Sequence, residues 1–492
     1  MAGEKRLSEL GLKARQGRDP ALSGLTLDSR AVRPGTLFAA LSGSTRHGAD
    51  FIATALELGA AAILTDPMGA IIASEALGRS DAALVVADDP REALAYAAAL
   101  WFAAQPETMV AVTGTNGKTS VATFTRQIWA ALGHEAINIG TTGIEGAWAA
   151  PSSHTTPDQI TLHRMLSQAA AAGVTHAAME ASSHGLDQRR LEGVRLKAAG
   201  FTNLTQDHLD YHHTMEAYLA AKIGLFTRLL PEDGAAVVNL DGAHGSDIAE
   251  IALTRGLSLL TTGTGQGADL QIAAIRPDAT GQEVRYLWQG RAFQTRLNLI
   301  GAFQAENVAL AAGLAIAAGD APEAVLATLP RLTGVRGRMQ LAATRANGAS
   351  VFVDYAHTPD AVATALTALR PHVMGRLVIA FGAGGDRDTS KRPLMGAAAA
   401  AHADVLFVTD DNPRGEDPAA IRAAILTACP EANEVGDRAE AILRAVDALQ
   451  PGDALLIAGK GHETGQVING DVFPFDDVEQ ASIAVAALDG VI

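Results

Sequence analysis

A chain of 492 residues exceeds what one hydrophobic core sustains, and at about 150 residues per domain it predicts about three domains. Its net charge of −16 argues against a nucleic-acid partner, which calls for a basic face, and leaves any anionic substrate to be held by local groups. A single cysteine, Cys429, excludes an internal disulfide and an all-cysteine metal cluster; the N-terminal MAGEKRLSEL lacks an apolar secretory core, no apolar run reaches membrane-spanning length, and the expectation is a cytoplasmic protein.

Residues 1–90 read as a small α/β unit, with strand-like runs at 24–28, 37–40, 61–65 and 83–86 and a helical pattern at 48–58. Polar turns at 28–30 and 42–48 follow strand ends, where ligands dock. Pro90 opens a helix that Pro106 ends. A larger α/β block then runs to 331, with strands at 109–112, 177–180, 198–203 and 235–239, a helix at 215–230 and an alanine-rich helix at 302–318. From 332 the pattern restarts. Strands at 350–355, 377–381, 405–409 and 454–458 alternate with helices, which predicts a doubly wound unit. These short apolar runs do not alternate with polar residues, as expected of a parallel sheet covered on both faces.

The most informative stretch is 109–123, MVAVTGTNGKTSVAT. An apolar strand, a glycine-rich turn and a helix form a cradle in which backbone N–H groups and the positive helix end face a phosphate. Lys118 would reach the β- and γ-phosphates, and the Thr119 hydroxyl would ligate Mg²⁺. Val112 stands where the full G-x-x-x-x-G-K-[ST] pattern has glycine, so this is the shorter form G-x-x-G-K-T. Glu180 ends an apolar strand, a position from which a carboxylate holds Mg²⁺ directly or through water. His208, in a run crowded with Asp and His, is a candidate second ligand. Lys222 lies on an amphipathic helix; drawn toward a buried site it would lose its proton readily and could take up CO₂ as a carbamate. The Ser/His/Asp content of 182–187 lacks the G-x-S-x-G elbow of a hydrolase.

The stretches TGTNGKTS, MEASSHGL, NLTQDHLDYH and AYLAAKIGLF together resemble the Mur ligase family, the ATP-dependent peptide synthetases of peptidoglycan assembly. TLDSRAVRPGTLFAAL, GAFQAENVALAA, GRMQ, DYAHTPD, GAGGDRD, DNPR and AGKGHE extend the resemblance in family order from Leu27 to Glu463. The resemblance implies an α/β protein of three domains: a small UDP-binding domain (1–90), a central P-loop-type ATPase domain (91–331) and a C-terminal Rossmann-like doubly wound domain (332–492) that binds an amino acid. It implies ATP contacts from Gly114, Thr115, Asn116, Gly117, Lys118, Thr119 and Ser120, with Asn307, Arg338 and Asp354 on adenine, phosphate and ribose. Thr119, Glu180 and His208 would hold Mg²⁺, and Lys222 matches the family's N-carboxylated lysine. Leu27, Ser29, Ser44, Thr45 and Arg46 match uridine-diphosphate contacts; Thr155, Thr156, Ser182, Gln188 and Arg190 match contacts to the muramoyl dipeptide. Gln304 and His154 depart from the family, which carries Asn at both points.

The implied reaction is ATP-driven addition of meso-diaminopimelate to UDP-N-acetylmuramoyl-L-Ala-D-Glu by a monomeric enzyme, with the alternatives that the added amino acid is L-lysine or that the chain is a folylpolyglutamate synthase. A non-enzymatic nucleotide-binding protein is disfavoured by the intact Lys118, Glu180, His208 and Lys222. Diaminopimelate carries a distal carboxylate and a distal ammonium. Arginine binds the first through a two-pronged contact, and an acid or carbonyl binds the second. Arg387, Asp411, Asn412, Pro413, Arg414, Gly459 and Glu463, all just past strand ends, are the residues implied. Lysine lacks the distal carboxylate and would leave Arg414 unpaired.

Overall fold

A computed structural model describes residues 4–43, 46–152 and 154–491, with the backbone alone at Asp210. Two compact units emerge, Met1–Thr262 with Leu310–Val325, and Gly263–Ala309 with Leu326–Ile492. The three-way division expected from sequence is a division by pattern; compactness divides the chain in two.

The first unit opens with a parallel sheet of Gly24–Thr26, Thr36–Ala39, Ala62–Thr65 and Ala83–Val86. Asp89 accepts hydrogen bonds from the Arg91 and Glu92 N–H groups, and Pro90 gives up no N–H at the first helical position, so the helix Pro90–Phe102 starts where the sequence predicts. A second parallel sheet follows in the spatial order Ser258–Gly263, Ala235–Asn239, Leu196–Phe201, Thr108–Thr113, His176–Glu180 and Ala136–Gly140. Gly143–Gly146 adds an antiparallel edge. The central strands are buried on both faces, and Met109, Ala111, Ile137, Met179 and Ala199 share one core with helix residues Leu162 and Leu166. Each large apolar side chain there contributes roughly 1.5–3 kcal/mol by leaving water.

The helix expected at 215–230 is α-helical over Met215–Gly224 and turns π-helical over Leu225–Leu229. That widened turn brings the Arg228 guanidinium to the buried Glu192 carboxylate at 2.7 Å and the Leu186 carbonyl at 2.9 Å.

The second unit holds an antiparallel meander, Leu270–Asp278, Gly281–Trp288 and Arg291–Leu297, and a sheet ordered Gln340–Thr344, Ser350–Asp354, Ala454–Ala458, Leu377–Phe381, Val405–Val408 and Asn433–Glu434. All pairs in that sheet are parallel except the edge pair of Gln340–Thr344 with Ser350–Asp354. The four strands predicted here all form; the meander and the hairpin Gly465–Ile468/Asp471–Pro474 add to them. Among the described residues no helix is long and apolar enough to cross a membrane.

Candidate active site

The phosphate loop leaves the C-terminal end of Thr108–Thr113 and enters the helix Lys118–Leu132. Gly114 adopts φ +144°, and a Cβ there would stand 1.8 Å from the Thr202 hydroxyl, so only glycine fits. Residues 202–205 strap the loop from the neighbouring strand. The Thr202 hydroxyl donates to the Asn116 carbonyl at 2.6 Å, and the Thr115 N–H donates to the Asn203 carbonyl at 2.9 Å. Lys118 Nζ donates to the Gly114 and Thr115 carbonyls at 2.9 and 2.8 Å, and Thr119 and Ser120 are buried at the helix start. Lys222, 1% exposed, donates to the same Gly114 carbonyl at 2.7 Å and lies 4.5 Å from the centre of the Tyr218 ring. Burial, then the charge of Lys118, pulls its pKa well below the ordinary lysine value; Asp207 opposes the shift.

Glu180 is buried at the end of its strand, with one carboxylate oxygen accepting from the Thr141 N–H at 2.8 Å and the other from the Thr141 hydroxyl at 3.3 Å. The dipeptide-binding candidates gather beside it. The Thr156 hydroxyl donates to the Glu180 carbonyl at 2.8 Å and accepts from the Ser182 N–H at 3.1 Å. Arg190 donates to the Thr156 carbonyl at 2.6 Å and to the Gln188 side chain at 2.8 Å. The Thr155 hydroxyl is 3.0 Å from that of Thr141. His208 sits in a left-handed conformation, φ +53°, 3.5 Å from the Asp207 carboxylate, its ring edge-on to His184. Among the described residues no three His, Cys, Asp or Glu side chains converge as a metal cage. Mg²⁺ bound with a nucleotide needs few protein ligands, because phosphates and water fill its octahedron. The Glu180 carboxylate and the Thr119 hydroxyl are oxygen donors of the kind such an ion takes.

In the small sheet, Asp28 accepts from the Arg30 N–H and guanidinium at 2.9 Å, which fixes the turn holding Leu27 and Ser29. Arg46 is exposed. Ser44 and Thr45 lie outside the described residues.

In the second unit, the buried Asn307 donates to the Gln304 side chain at 3.2 Å. Asp354 accepts from the Met339 and Ala356 N–H groups at 2.6 and 2.8 Å, and the Arg338 guanidinium lies 4.5 Å over the Tyr355 ring. Burial raises the Asp354 pKa against the pull of Arg338. Past the strand ends, Asn412 donates to the Glu463 carboxylate at 2.8 Å and Arg414 to the Gly385 carbonyl at 2.9 Å. Arg387 is exposed.

Three models of one family match in chain order: the Mur ligase family catalytic domain over residues 21–101, the Mur ligase middle domain over 112–315 and the glutamate ligase domain of Mur ligases over 337–461. The chain belongs to the Mur ligase family. UDP-N-acetylmuramoyl-L-alanyl-D-glutamate–2,6-diaminopimelate ligases of Bradyrhizobium diazoefficiens and Caulobacter vibrioides are each 50% identical to it, the first over 95% of both chains and the second over 99% of both. A solved structure of a ligase of that same name, 35% identical, superposes with a TM-score of 0.72 over 99% of both chains. A Mycobacterium tuberculosis folylpolyglutamate synthase complexed with ADP and AMPPCP, at 19% identity and TM-score 0.62 over 81% of this chain and 95% of its own, shares the fold.

In this Mur ligase several residues that touch the candidate site residues carry little sequence signal. Gly140 is one, because a Cβ there would lie 2.0 Å from the Glu180 carboxylate. Thr141, Tyr218, Lys460 and Arg438 are others. Their signal was position alone: Gly140 and Thr141 end an apolar run, and Lys460 lies inside the AGKGHE stretch.

Proposed function

We propose that this chain is an ATP-dependent amide ligase. It joins meso-diaminopimelate to the D-Glu side-chain carboxylate of UDP-N-acetylmuramoyl-L-Ala-D-Glu, as a cytoplasmic monomer in peptidoglycan precursor synthesis. Relatives bearing the name of that activity are 50% identical over 95% or more of the chain. The observation that carries the choice of amino acid is that Asn412 holds the Glu463 carboxylate at 2.8 Å while Arg414, two residues on, rests its guanidinium on the Gly385 carbonyl at 2.9 Å, which supplies an acid and an arginine for a substrate with a second charged end. L-lysine would leave Arg414 without its carboxylate. The proposed domains are 1–90 for the UDP-muramoyl group, 91–331 for ATP and 332–492 for the amino acid.

A carboxylate is a poor electrophile, so the D-Glu side chain is first phosphorylated, and ADP leaves. The diaminopimelate amine then attacks the acyl carbon, and the tetrahedral intermediate collapses to an amide and inorganic phosphate. Lys118 exchanges its loop carbonyls for the transferring phosphoryl group. Thr119, Glu180 and His208 would hold Mg²⁺, which supplies charge neutralisation when bound. Lys222, whose amine loses its proton readily, accepts CO₂ as a carbamate and turns a buried cation into an anion. Asn307, Arg338 and Asp354 take adenine, phosphate and ribose. Leu27, Ser29 and Arg46, with Ser44 and Thr45, take the uridine diphosphate; Thr155, Thr156, Ser182, Gln188 and Arg190 orient the dipeptide. Mass spectrometry of the product tests the reading: the UDP-dipeptide gains one diaminopimelate less one water. ADP formation without that product would contradict it.

A further inference from the structure

Lys460 is fully buried beneath the amino-acid site and has no part in the chemistry above. Its Nζ donates to the Asn412 side-chain oxygen at 2.9 Å and to the Gly465 carbonyl at 2.7 Å. It lies 3.5 Å from the Asp411 carboxylate and 3.6 Å from that of Glu463. An ammonium can only donate, so the amide oxygen of Asn412 must face Lys460. The Val467 N–H supplies a second donor to that oxygen at 2.9 Å. The Asn412 amide nitrogen is thereby turned to Glu463, donating to its carboxylate at 2.8 Å. The Glu463 carboxylate remains 33% exposed.

Lys460 and Arg438 lie among Asp411, Glu463 and Asp477, with Arg438 and Asp477 paired at 2.7 Å and wholly buried. One buried oxygen of Asp411 has no hydrogen bond. Burial lowers the Lys460 pKa, while Asp411 and Glu463 hold it up.

We propose that Lys460 is a positioning residue for the incoming amino acid: it fixes which way the Asn412 amide faces and so holds Glu463 for the substrate's distal ammonium. This rests on the function proposed above for the same site. The test is steady-state kinetics of the full-length enzyme with ATP, UDP-dipeptide and meso-diaminopimelate for the parent, Lys460→Met, Glu463→Gln and the double variant. Lys460→Met is expected to raise KM for diaminopimelate at least tenfold and to leave KM for ATP and for the UDP-dipeptide within twofold. The double variant is expected to match Glu463→Gln alone. An unchanged KM for diaminopimelate, an equal rise in all three constants, or multiplicative single effects would each overturn the inference. If Lys460→Met does not fold, Lys460→Gln decides. Its neutral amide can turn either an N–H or an oxygen to Asn412 and so no longer dictates which way that amide faces. A diaminopimelate KM raised at least threefold supports the role and a parental one overturns it. A parent enzyme that turns over L-lysine and rejects diaminopimelate would refute the substrate reading, and Lys460 is then judged by the same constants measured with L-lysine.

Discussion

Lys118 and Lys222 donate to one acceptor, the Gly114 carbonyl, at 2.9 and 2.7 Å. Two ammonium groups on one oxygen repel, and one of them is almost wholly buried. Burial and the charge of Lys118 both pull the Lys222 pKa down, so in the reaction proposed above Lys222 is the group that gives up its proton and Lys118 the one that meets phosphate.

Removing that cation should stop phosphoryl transfer. Lys118→Ala is expected to lower ADP formation by about 10²–10³-fold or more. Its melting temperature should stay near that of the parent, because the bonds Lys118 makes to the Gly114 and Thr115 carbonyls are local to its own loop. Near-parental turnover would remove Lys118 from the mechanism.

Lys222 sets a pH dependence of stability. Its folded pKa lies below its unfolded value, so in CO₂-free buffer the unfolded chain binds more protons between the two. Stability should therefore rise with pH across that interval, toward the ordinary lysine range. Lys222→Met should flatten the slope and stabilise the protein by about 1 kcal/mol at neutral pH, a melting point ~2–4 °C higher, while abolishing ligation. Urea midpoints at about pH 7.5 and 9.5, both below the ordinary lysine value, read the slope.

Glu180 depends on a neighbour without a side chain. Gly140→Ala places a methyl 2.0 Å from the present position of the carboxylate, which must move. A displaced ligand should cut kcat by about 10²-fold, and an unchanged kcat would show that the carboxylate can shift freely.

Arg414 should resist even conservative change, because lysine cannot reproduce a two-pronged contact. Arg414→Lys and Arg414→Ala are expected to lower kcat/KM for diaminopimelate by about 30- to 1,000-fold, from roughly 2–4 kcal/mol of lost binding. The KM for ATP should not change.

Arg438 and Asp477 form a fully buried ion pair. Asp477→Asn strands the arginine and should cost about 3–5 kcal/mol, read as a fall in the urea midpoint.

The phosphate loop was legible because its chemistry is contiguous, with strand, turn and helix start lying within one short stretch. The parallel strands were legible as unbroken apolar runs covered on both faces. The meander was not, because its strands are half-exposed and carry Arg276, Glu283, Arg285 and Arg296 among the apolar residues. The hairpin did carry a signal: Asn469-Gly470 turns with both residues at positive φ, the usual chemistry of a two-residue hairpin turn. Lys460 was marked only by its place in AGKGHE, since lysine is ordinarily an exposed residue and its partner Asn412 is 48 positions away.

Phosphate release from the purified enzyme with ATP, Mg²⁺ and UDP-N-acetylmuramoyl-L-Ala-D-Glu, with meso-diaminopimelate or L-lysine added in turn, tests the central claim most directly. Sustained release with diaminopimelate, and little with L-lysine or with the dipeptide alone, is the predicted result. Sustained release with L-lysine and none with diaminopimelate would contradict it.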